Sequence, residues 1–391
     1  MRIAQVSPLY ESVPPKLYGG TERVVYWLVE ELVRQGHDVT LFASGDSVTS
    51  AQRLVAPCHA ALRFDPKVKE PLAHHYVMLD QVFEEAASFD VIHFHIGYLH
   101  FPLSRRYGAA QITTLHGRLD IGDLVPLYKR FSEMGVVSIS DYQRRYLPWA
   151  NWLGTVHHGL PLDLYSCAKA GGGYLAFLGR ISPEKGLDRA IEIATRAGMK
   201  LKVAAKIDAV DRQYFQEIIQ PLLDNPLVEC IGEINDEGKQ EFLSNAYALL
   251  FSIDWPEPFG LVLIEALACG TPVIAFGRGS VPELIEDGVT GFIVDNIEQA
   301  VAALPKVRRL NRNRCRQTFE QRFSVTRMTD DYLKIYRRAI EDQRARDADI
   351  RGSISNFVAR TSDWPVNEET AFSPQPAVGN RFGLVAPKRI I

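Results

Sequence analysis

The sequence predicts an α/β protein made of two domains, each a parallel sheet with helices on both faces. Three observations carry that expectation. Short apolar runs alternate with longer amphipathic ones, the pattern of repeated strand–helix–strand units. At 391 residues the chain is too long for one ordinary domain and fits two of under about 200 residues each. A break near 162–173, closing on three consecutive glycines, reads as a linker, and the alternation restarts beyond it.

Taken in order, Ile3–Ser7 is a buried strand and Val24–Arg34 an amphipathic helix ended by Gly36. Val39–Phe42 is the next strand, followed by a helix over about Leu72–Ala87. Strands then fall at Val91–Phe94, Ile112–Leu115, Val136–Ser140 and Thr155–His157. After the linker, strand Leu175–Leu178 leads to helix Leu187–Ala197, strand Leu201–Ala204 and a helix around Asp211–Leu223. Strand Leu227–Ile231 and helix Asp236–Ala246 precede strand Ala248–Ser252. Helix Leu261–Ala268, strand Pro272–Ala275, helix Val281–Ile285 and strand Phe292–Val294 complete the second half. One helix is expected from about Glu298 to Arg322, and a last one from Ser324 or Val325 to about Arg344. The domains are therefore 1–168 and 174–323. Residues 347–391, polar and proline-rich, read as mostly disordered or as a tail that meets a partner.

Composition narrows the function classes. The chain is 46% hydrophobic and 23% charged with a net charge of −3, which gives no global attraction to nucleic acid. Five cysteines without paired spacing suggest reduced thiols in a cytoplasmic protein. The first residues read as a strand rather than a signal peptide, and no apolar run approaches the roughly 18 residues of a membrane helix.

The most informative stretch is Glu257-Pro258-Phe259-Gly260-Leu261-Val262-Leu263-Ile264-Glu265. Prolines 256 and 258 end the preceding strand, since each lacks an N–H and fixes its own φ. Gly260 then opens an apolar helix. The free N–H groups of Phe259, Gly260 and Leu261 sit at its N-terminus, where an anion such as a diphosphate is stabilised. Glu257 lies beside those amides and Glu265 about two turns along the same helix. Two carboxylates flanking an anion hole suit an elongated ligand of hydroxyls, then anion, then hydroxyls, which is the layout of a sugar–diphosphate–ribose.

This stretch resembles the Glu-x7-Glu motif of the retaining glycosyltransferases of family 4, which share the two-domain GT-B fold of glycogen synthase. The surrounding text agrees: Ala266 to Ala275, then Val281-Pro282-Glu283-Leu284-Ile285 and Asp287 to Val294. The resemblance extends over roughly 1–343 and is strongest over 174–296. It implies two Rossmann-like domains facing across a cleft, a last helix (about 325–344) that crosses back onto the first domain, and metal-independent transfer of a hexose from a UDP-, GDP- or ADP-sugar with no bound cofactor. It also places Glu257 at the sugar hydroxyls and Glu265 at the ribose diol.

Other elements fit that layout. Arg180 and Lys185 follow the first strand of the second half, at its C-terminal end, where open α/β sheets bind ligands. Two cations five residues apart can neutralise a diphosphate, and the resemblance assigns both to the donor; the plainer reading is a surface loop with a Glu184 ion pair. In Tyr18-Gly19-Gly20-Thr21-Glu22, paired glycines let backbone approach a ligand and Thr21 is expected to cap the helix. The resemblance sets Gly19 and Gly20 against the donor phosphate. His116 ends a strand ahead of Gly117, and the resemblance puts it at the donor sugar. His93 and His95 are expected on opposite faces of one strand, which argues against a shared metal, though one of them can line the acceptor side.

Two motifs are decoys. Gly277-Arg278-Gly279 mimics a dinucleotide fingerprint but has Pro282 where a third glycine belongs. Asp347-Ala348-Asp349 mimics an Asp-x-Asp metal site but follows no strand. Two basic regions, Lys306 to Arg316 and Arg144–Arg145 beside Trp149 and Trp152, offer peripheral contact with an inner membrane surface or an acidic acceptor; for the first a solvated helix face is the expectation. The acceptor is a glycan, a lipid or a small molecule. The alternatives to a transferase are a non-catalytic nucleotide-sugar-binding subunit and a sugar-nucleotide epimerase on the same fold.

Overall fold

The computed structural model describes residues 1–16, 19–63, 65–168 and 171–362. Two parallel sheets dominate it. The first has seven strands: β1 (Arg2–Val6), β2 (Asp38–Phe42), β3 (Arg53–Val55), β4 (Val91–Phe94), β5 (Gln111–Thr114), β6 (Val136–Ser138) and β7 (Trp152–Thr155). They lie in the order β3-β2-β1-β4-β5-β6-β7. The second has six: β8 (Tyr174–Arg180), β9 (Lys200–Lys206), β10 (Val228–Gly232), β11 (Ala246–Phe251), β12 (Val273–Phe276) and β13 (Gly291–Val294), in the order β10-β9-β8-β11-β12-β13. Each sheet reverses its winding direction once, between β1 and β4 and between β8 and β11. Such a switch point opens a crevice at the carboxyl ends of its strands.

The strands are near-continuous apolar runs because both faces are covered. Ile3, Val6, Val91 and Phe94 are fully buried, as are Ala248, Leu249 and Val273. One core cluster runs through both halves and into the last helix, joining Ile3 and Val24 to Leu263, Met328, Tyr332 and Tyr336. Helix Leu187–Ala197 shows how local sequence sets its limits. It ends on Gly198, whose positive φ of 60° permits a left-handed C-cap. Its Ile191, Ile193 and Ala194 turn inward.

Several elements differ from expectation. The 298–322 segment is two helices, Ile297–Val307 and Arg312–Arg322, because the Asn311 side chain accepts from the Asn313 N–H and starts the second. The 211–223 segment passes from one α-turn to π (Phe215–Ile219) to 3-10 (Gln220–Asp224); Pro221 cannot donate and crowds the preceding turn. Helix Gly20–Arg34 begins earlier than expected. Its N-cap is Gly19 with no side-chain cap, so Thr21 lies inside the first turn and cannot cap. The last helix runs Val325–Ser362 rather than stopping near 344, so the segment expected to be disordered begins as helix. Asp347 and Asp349 lie on it, and residues 363–391 are outside the described residues. The edge strand β3, three residues long, was not expected. Met1–Arg344 forms one compact unit, and the chain from Ala345 onward belongs to a second.

Among the described residues no helix is long and apolar enough to cross a membrane. All five cysteines are free thiols. Arg312 and Arg316 do not belong to a solvated basic face. Arg312 donates to the carbonyls of Ala246 and Ser244. Arg316 donates to those of Ala268 and Leu162. Ser244 and Ala268 are the last residues of their helices, so both arginines satisfy C-terminal carbonyls that lack partners within the helix.

Candidate active site

A cavity of about 670 Å³ lies between the carboxyl ends of the two sheets, and every site residue expected from the sequence borders it. The second sheet contributes the charged half. Arg180 is the last residue of β8. Its guanidinium is ion-paired with Glu184 and lies 3.5 Å from Asp208 and 3.4 Å from Asp211. The expected Glu184 pair is therefore present, within a larger cage of three carboxylates. Lys185 ends the following turn. Its ammonium is ion-paired with Glu257 and stands 4.8 Å over the Trp255 ring, whose Nε1 donates to the same Glu257 carboxylate at 3.0 Å. Gly186 holds this turn against β11. Its φ is +68°, and a Cβ there would lie 2.2 Å from the Ser252 carbonyl oxygen.

The acidic loop is positioned from behind. Ser280 donates its N–H to the Glu257 carbonyl at 3.0 Å and its hydroxyl to the Phe259 carbonyl at 2.6 Å. Gly279 has φ +59°, and a Cβ there would come within 2.3 Å of the Glu257 carbonyl oxygen. Gly279, the second glycine of the motif that mimics a nucleotide fingerprint, thus lets this loop lie close against Glu257, whereas a Cβ on Gly277 would meet Ile293 at 3.0 Å. Gly260, φ +87°, is the N-cap of helix Leu261–Ala268, which leaves the amides of 259–261 at a helix N-terminus. Glu265 is buried on that helix and accepts from Lys239 at 2.8 Å. Lys239 also approaches Asp236 at 3.5 Å, and Asp236 pairs with Arg23 from the first sheet's side of the cavity.

The first sheet contributes the histidine half. His116 and His95 join at 2.9 Å through Nε2 and Nδ1. The His116 ring stacks on His158, centroids 5.4 Å apart and 16° between planes. The buried Nδ1 of His158 has no hydrogen-bond partner. Burial pushes the His116 imidazole down to about 3, so it is neutral at physiological pH. His93 and His95 share a face, with ring centroids 4.0 Å apart. The expectation of opposite faces fails because strand side chains alternate with a period of two, which returns residue i+2 to the same side. His95 borders the cavity, and His93 lies behind it.

Gly19 and Gly20 also reach the cavity. A Cβ on Gly19 would lie 2.7 Å from Pro15, whereas on Gly20 it would meet only Leu261 at 3.7 Å. One is needed for packing; the other leaves open space facing the second domain. Glu22, next along that helix, is buried at the cavity edge. Burial, with nearby Glu11 adding to it, pushes its carboxyl up to about 7.

Sequence reasoning missed Lys206, Lys239, the Asp208–Asp211 cage and Glu22. Lys206, 3.1 Å from Asp208, is the last residue of β9, so the strand-end rule that found Arg180 would also have found it. Lys239 and Asp211 meet the site only through the fold. Among the described residues no three His, Cys, Asp or Glu side chains gather into a cation-holding group. Arg144 stands 5.6 Å over Trp152, and Lys129 5.8 Å over Trp149, so each tryptophan beside the basic pair faces a cation.

Two family descriptions match the chain, one for each half. "Glycosyltransferase Family 4" matches residues 18–158, and "Glycosyl transferases group 1" matches 168–322. The chain belongs to the family 4-like glycosyltransferases. A curated relative in this family, D-inositol 3-phosphate glycosyltransferase of Mycobacterium leprae, is 32% identical over 206 residues, 47% of this chain and 44% of that one. The chain thus spans less than half the length of that relative. The enzyme of the same name from Saccharomonospora viridis is 28% identical over 400 residues, 85% of this chain and 92% of that one. Among solved structures, Anabaena HepE in complex with UDP and glucose superposes with a TM-score of 0.65 at 18% identity, over 85% of this chain and 98% of that one. The fold is GT-B, as the sequence resemblance implied.

Proposed function

We propose that this glycosyltransferase moves a hexose from a nucleoside-diphosphate sugar to an acceptor hydroxyl, with retention of anomeric configuration. The observation that carries the reading is the meeting, at one switch-point crevice, of Lys185, Arg180 and a helix N-terminus with two carboxylates on either side. That set neutralises a departing diphosphate and holds hydroxyls at both ends of the donor. Glu257 takes the sugar hydroxyls and Glu265 the ribose diol. His116, neutral, takes a sugar hydroxyl from the opposite wall. The acceptor enters from the first domain and attacks on the face the diphosphate leaves.

In this reading the two cations and the 259–261 amides supply the charge that a metal would otherwise supply. Related proteins guide the choice of substrates: HepE is described with UDP and glucose, and the curated relatives are named for an inositol phosphate acceptor. UDP-sugars and phosphorylated polyols therefore head the screen.

The experiment is transfer followed by anomeric proton NMR of the product, with and without EDTA. Retained configuration with undiminished nucleotide release in EDTA is expected. An inverted product removes the retaining mechanism, and strict metal dependence removes the assignment of charge to Arg180 and Lys185. Tight donor binding without turnover over a broad acceptor panel favours the binding-subunit reading.

A further inference from the structure

Behind His116 runs a buried chain of polar side chains that the transfer itself does not use. His95 links His116 to Gln5, with His95 Nε2 and Gln5 Oε1 2.9 Å apart. The Gln5 amide nitrogen donates to the Tyr336 hydroxyl at 2.9 Å. Tyr336 meets His93 Nδ1 at 2.8 Å, His93 Nε2 meets Thr114 at 2.7 Å, and Thr114 meets the Tyr332 hydroxyl at 3.0 Å. Gln5, His93, Thr114, Tyr332 and Tyr336 are fully buried. Both tyrosines come from the last helix, over 200 residues beyond the strands they touch.

A buried polar chain of this kind is destabilising unless every member is satisfied. Satisfying it here fixes protons. The Gln5 oxygen can only accept, so His95 carries its proton on Nε2. Burial keeps His95 neutral by pushing its imidazole far below the ordinary range. Its Nδ1 is then bare and must accept from His116 Nε2. His116 is left with its proton on Nε2 and a lone pair on Nδ1, for which the described residues offer no hydrogen-bond partner.

We infer that Gln5, with its amide nitrogen on Tyr336 of the last helix and its oxygen on His95, is a positioning residue that fixes His116 as the Nε2–H tautomer, presenting Nδ1 to the cavity as a hydrogen-bond acceptor. The amide orientation is the determinant. Reversed, it would hand a proton to His95 Nε2 and leave Nδ1–H of His116 as a donor to the cavity. An accepting Nδ1 suits a sugar hydroxyl that must donate, and that use rests on the transferase reading; the tautomer does not.

The test is long-range proton–nitrogen correlation NMR of the full chain, labelled at histidine nitrogen, with His116 assigned by a His116→Gln variant. A single tautomer, protonated at Nε2 and bare at Nδ1, is expected in the unliganded protein. Gln5→Leu should give mixed tautomers and lower kcat about tenfold with donor KM changed less than twofold. Gln5→Glu, which keeps an acceptor toward His95, should restore the Nε2–H tautomer. A wild-type His116 protonated at Nδ1 overturns the inference, whether or not any variant folds. An unchanged single tautomer in Gln5→Leu also overturns it. The NMR needs no substrate, so a correct tautomer in a protein without transferase activity refutes the proposed function and leaves this inference standing.

Discussion

Replacing Lys185 with alanine tests the charged half of the site. In the structure its ammonium faces Glu257 and the Trp255 ring, and both are on the loop that leads into helix Leu261–Ala268. Two consequences separate. First, on the proposed function, the leaving diphosphate would lose a fixed cation. Removing one preorganised donor from such a site typically costs about 2.7–4 kcal/mol of transition-state stabilisation, or roughly 10² to 10³ in turnover. Second, Glu257, 8% exposed, keeps only the Trp255 N–H. A buried carboxylate deprived of its counter-ion destabilises the fold, by about 3–5 kcal/mol at the upper limit for fully buried pairs. Side-chain exposures of 19% and 11% place this pair below that limit.

A double variant distinguishes the two. Lys185→Ala with Glu257→Gln removes the orphaned charge and should recover most of the melting temperature lost by Lys185→Ala alone. It should not recover turnover. Initial rates of nucleoside diphosphate release at saturating donor, beside thermal melts of the parent, Lys185→Ala, Glu257→Gln and the double variant, supply the measurement. Parental turnover in Lys185→Ala would remove the lysine from the mechanism. A double variant as fast as the parent would show that the single variant failed through Glu257 alone.

Four further outcomes follow from particular contacts. Glu265→Ala should weaken nucleotide binding by roughly 10- to 150-fold, since an ionised acceptor for the ribose diol is worth about 1.5–3 kcal/mol; equal affinity in calorimetry would refute the assignment. Gly279→Ala should lower the melting temperature and abolish donor binding together, because its Cβ would meet the Glu257 backbone at 2.3–2.4 Å; an unperturbed melt would mean that the loop yields. Glu22 has a folded pKa of about 7, above its unfolded value. Its contribution to stability is therefore full below about pH 4.5 and is lost as pH rises through 7. Glu22→Gln should accordingly gain on the parent between those pH values, by up to about 3 kcal/mol at 1.36 kcal/mol per unit, read from urea melts at pH 4.5 and 8. Arg316→Met should lower the melting temperature with donor affinity retained in what stays folded, because it uncaps Ala268 and Leu162 away from the cavity.

The parts of the fold that were legible share one property: their signal is local. Helix Leu187–Ala197 has an apolar stripe and a glycine stop, and helix Leu261–Ala268 starts on a glycine after two prolines, so both sets of bounds agree with the sequence reading. Strands β4 and β11 are apolar runs closed by polar or proline residues. Where the signal was weak or came from afar, the reading failed. Nothing within β3 distinguishes three edge residues from loop. The end of the last helix is set by no proline or glycine before Gly352, and a polar composition was mistaken for a coil. Thr21 looked like a cap because its residue type favours one, but the chain turns into the helix two residues sooner, at Gly19.

The site shows the same division, with a sharper physical reason. Arg180, Lys185, Glu257 and the 259–261 amides were legible because each lies at or shortly after a strand end, a place in the fold that sequence can locate, and Glu265 because it sits on the helix those amides open. Their partners were not. Lys239 reaches Glu265 from another helix, Asp208 and Asp211 reach Arg180 from the segment after β9, and Tyr336 meets Gln5 from 331 residues further along the chain. These contacts alter what the legible residues do. Without donor, each cation is neutralised by the protein's own carboxylates and Glu265 is already engaged. On the proposed function, donor binding would be an exchange of ion pairs, in which diphosphate displaces Glu184 or Glu257 from groups they already satisfy. Such an exchange favours a ligand with two negative charges spaced to meet both cations over one with a single charge. On that reading, selectivity for a sugar diphosphate over a sugar monophosphate would come from the carboxylates that compete with it as well as from the cations that attract it.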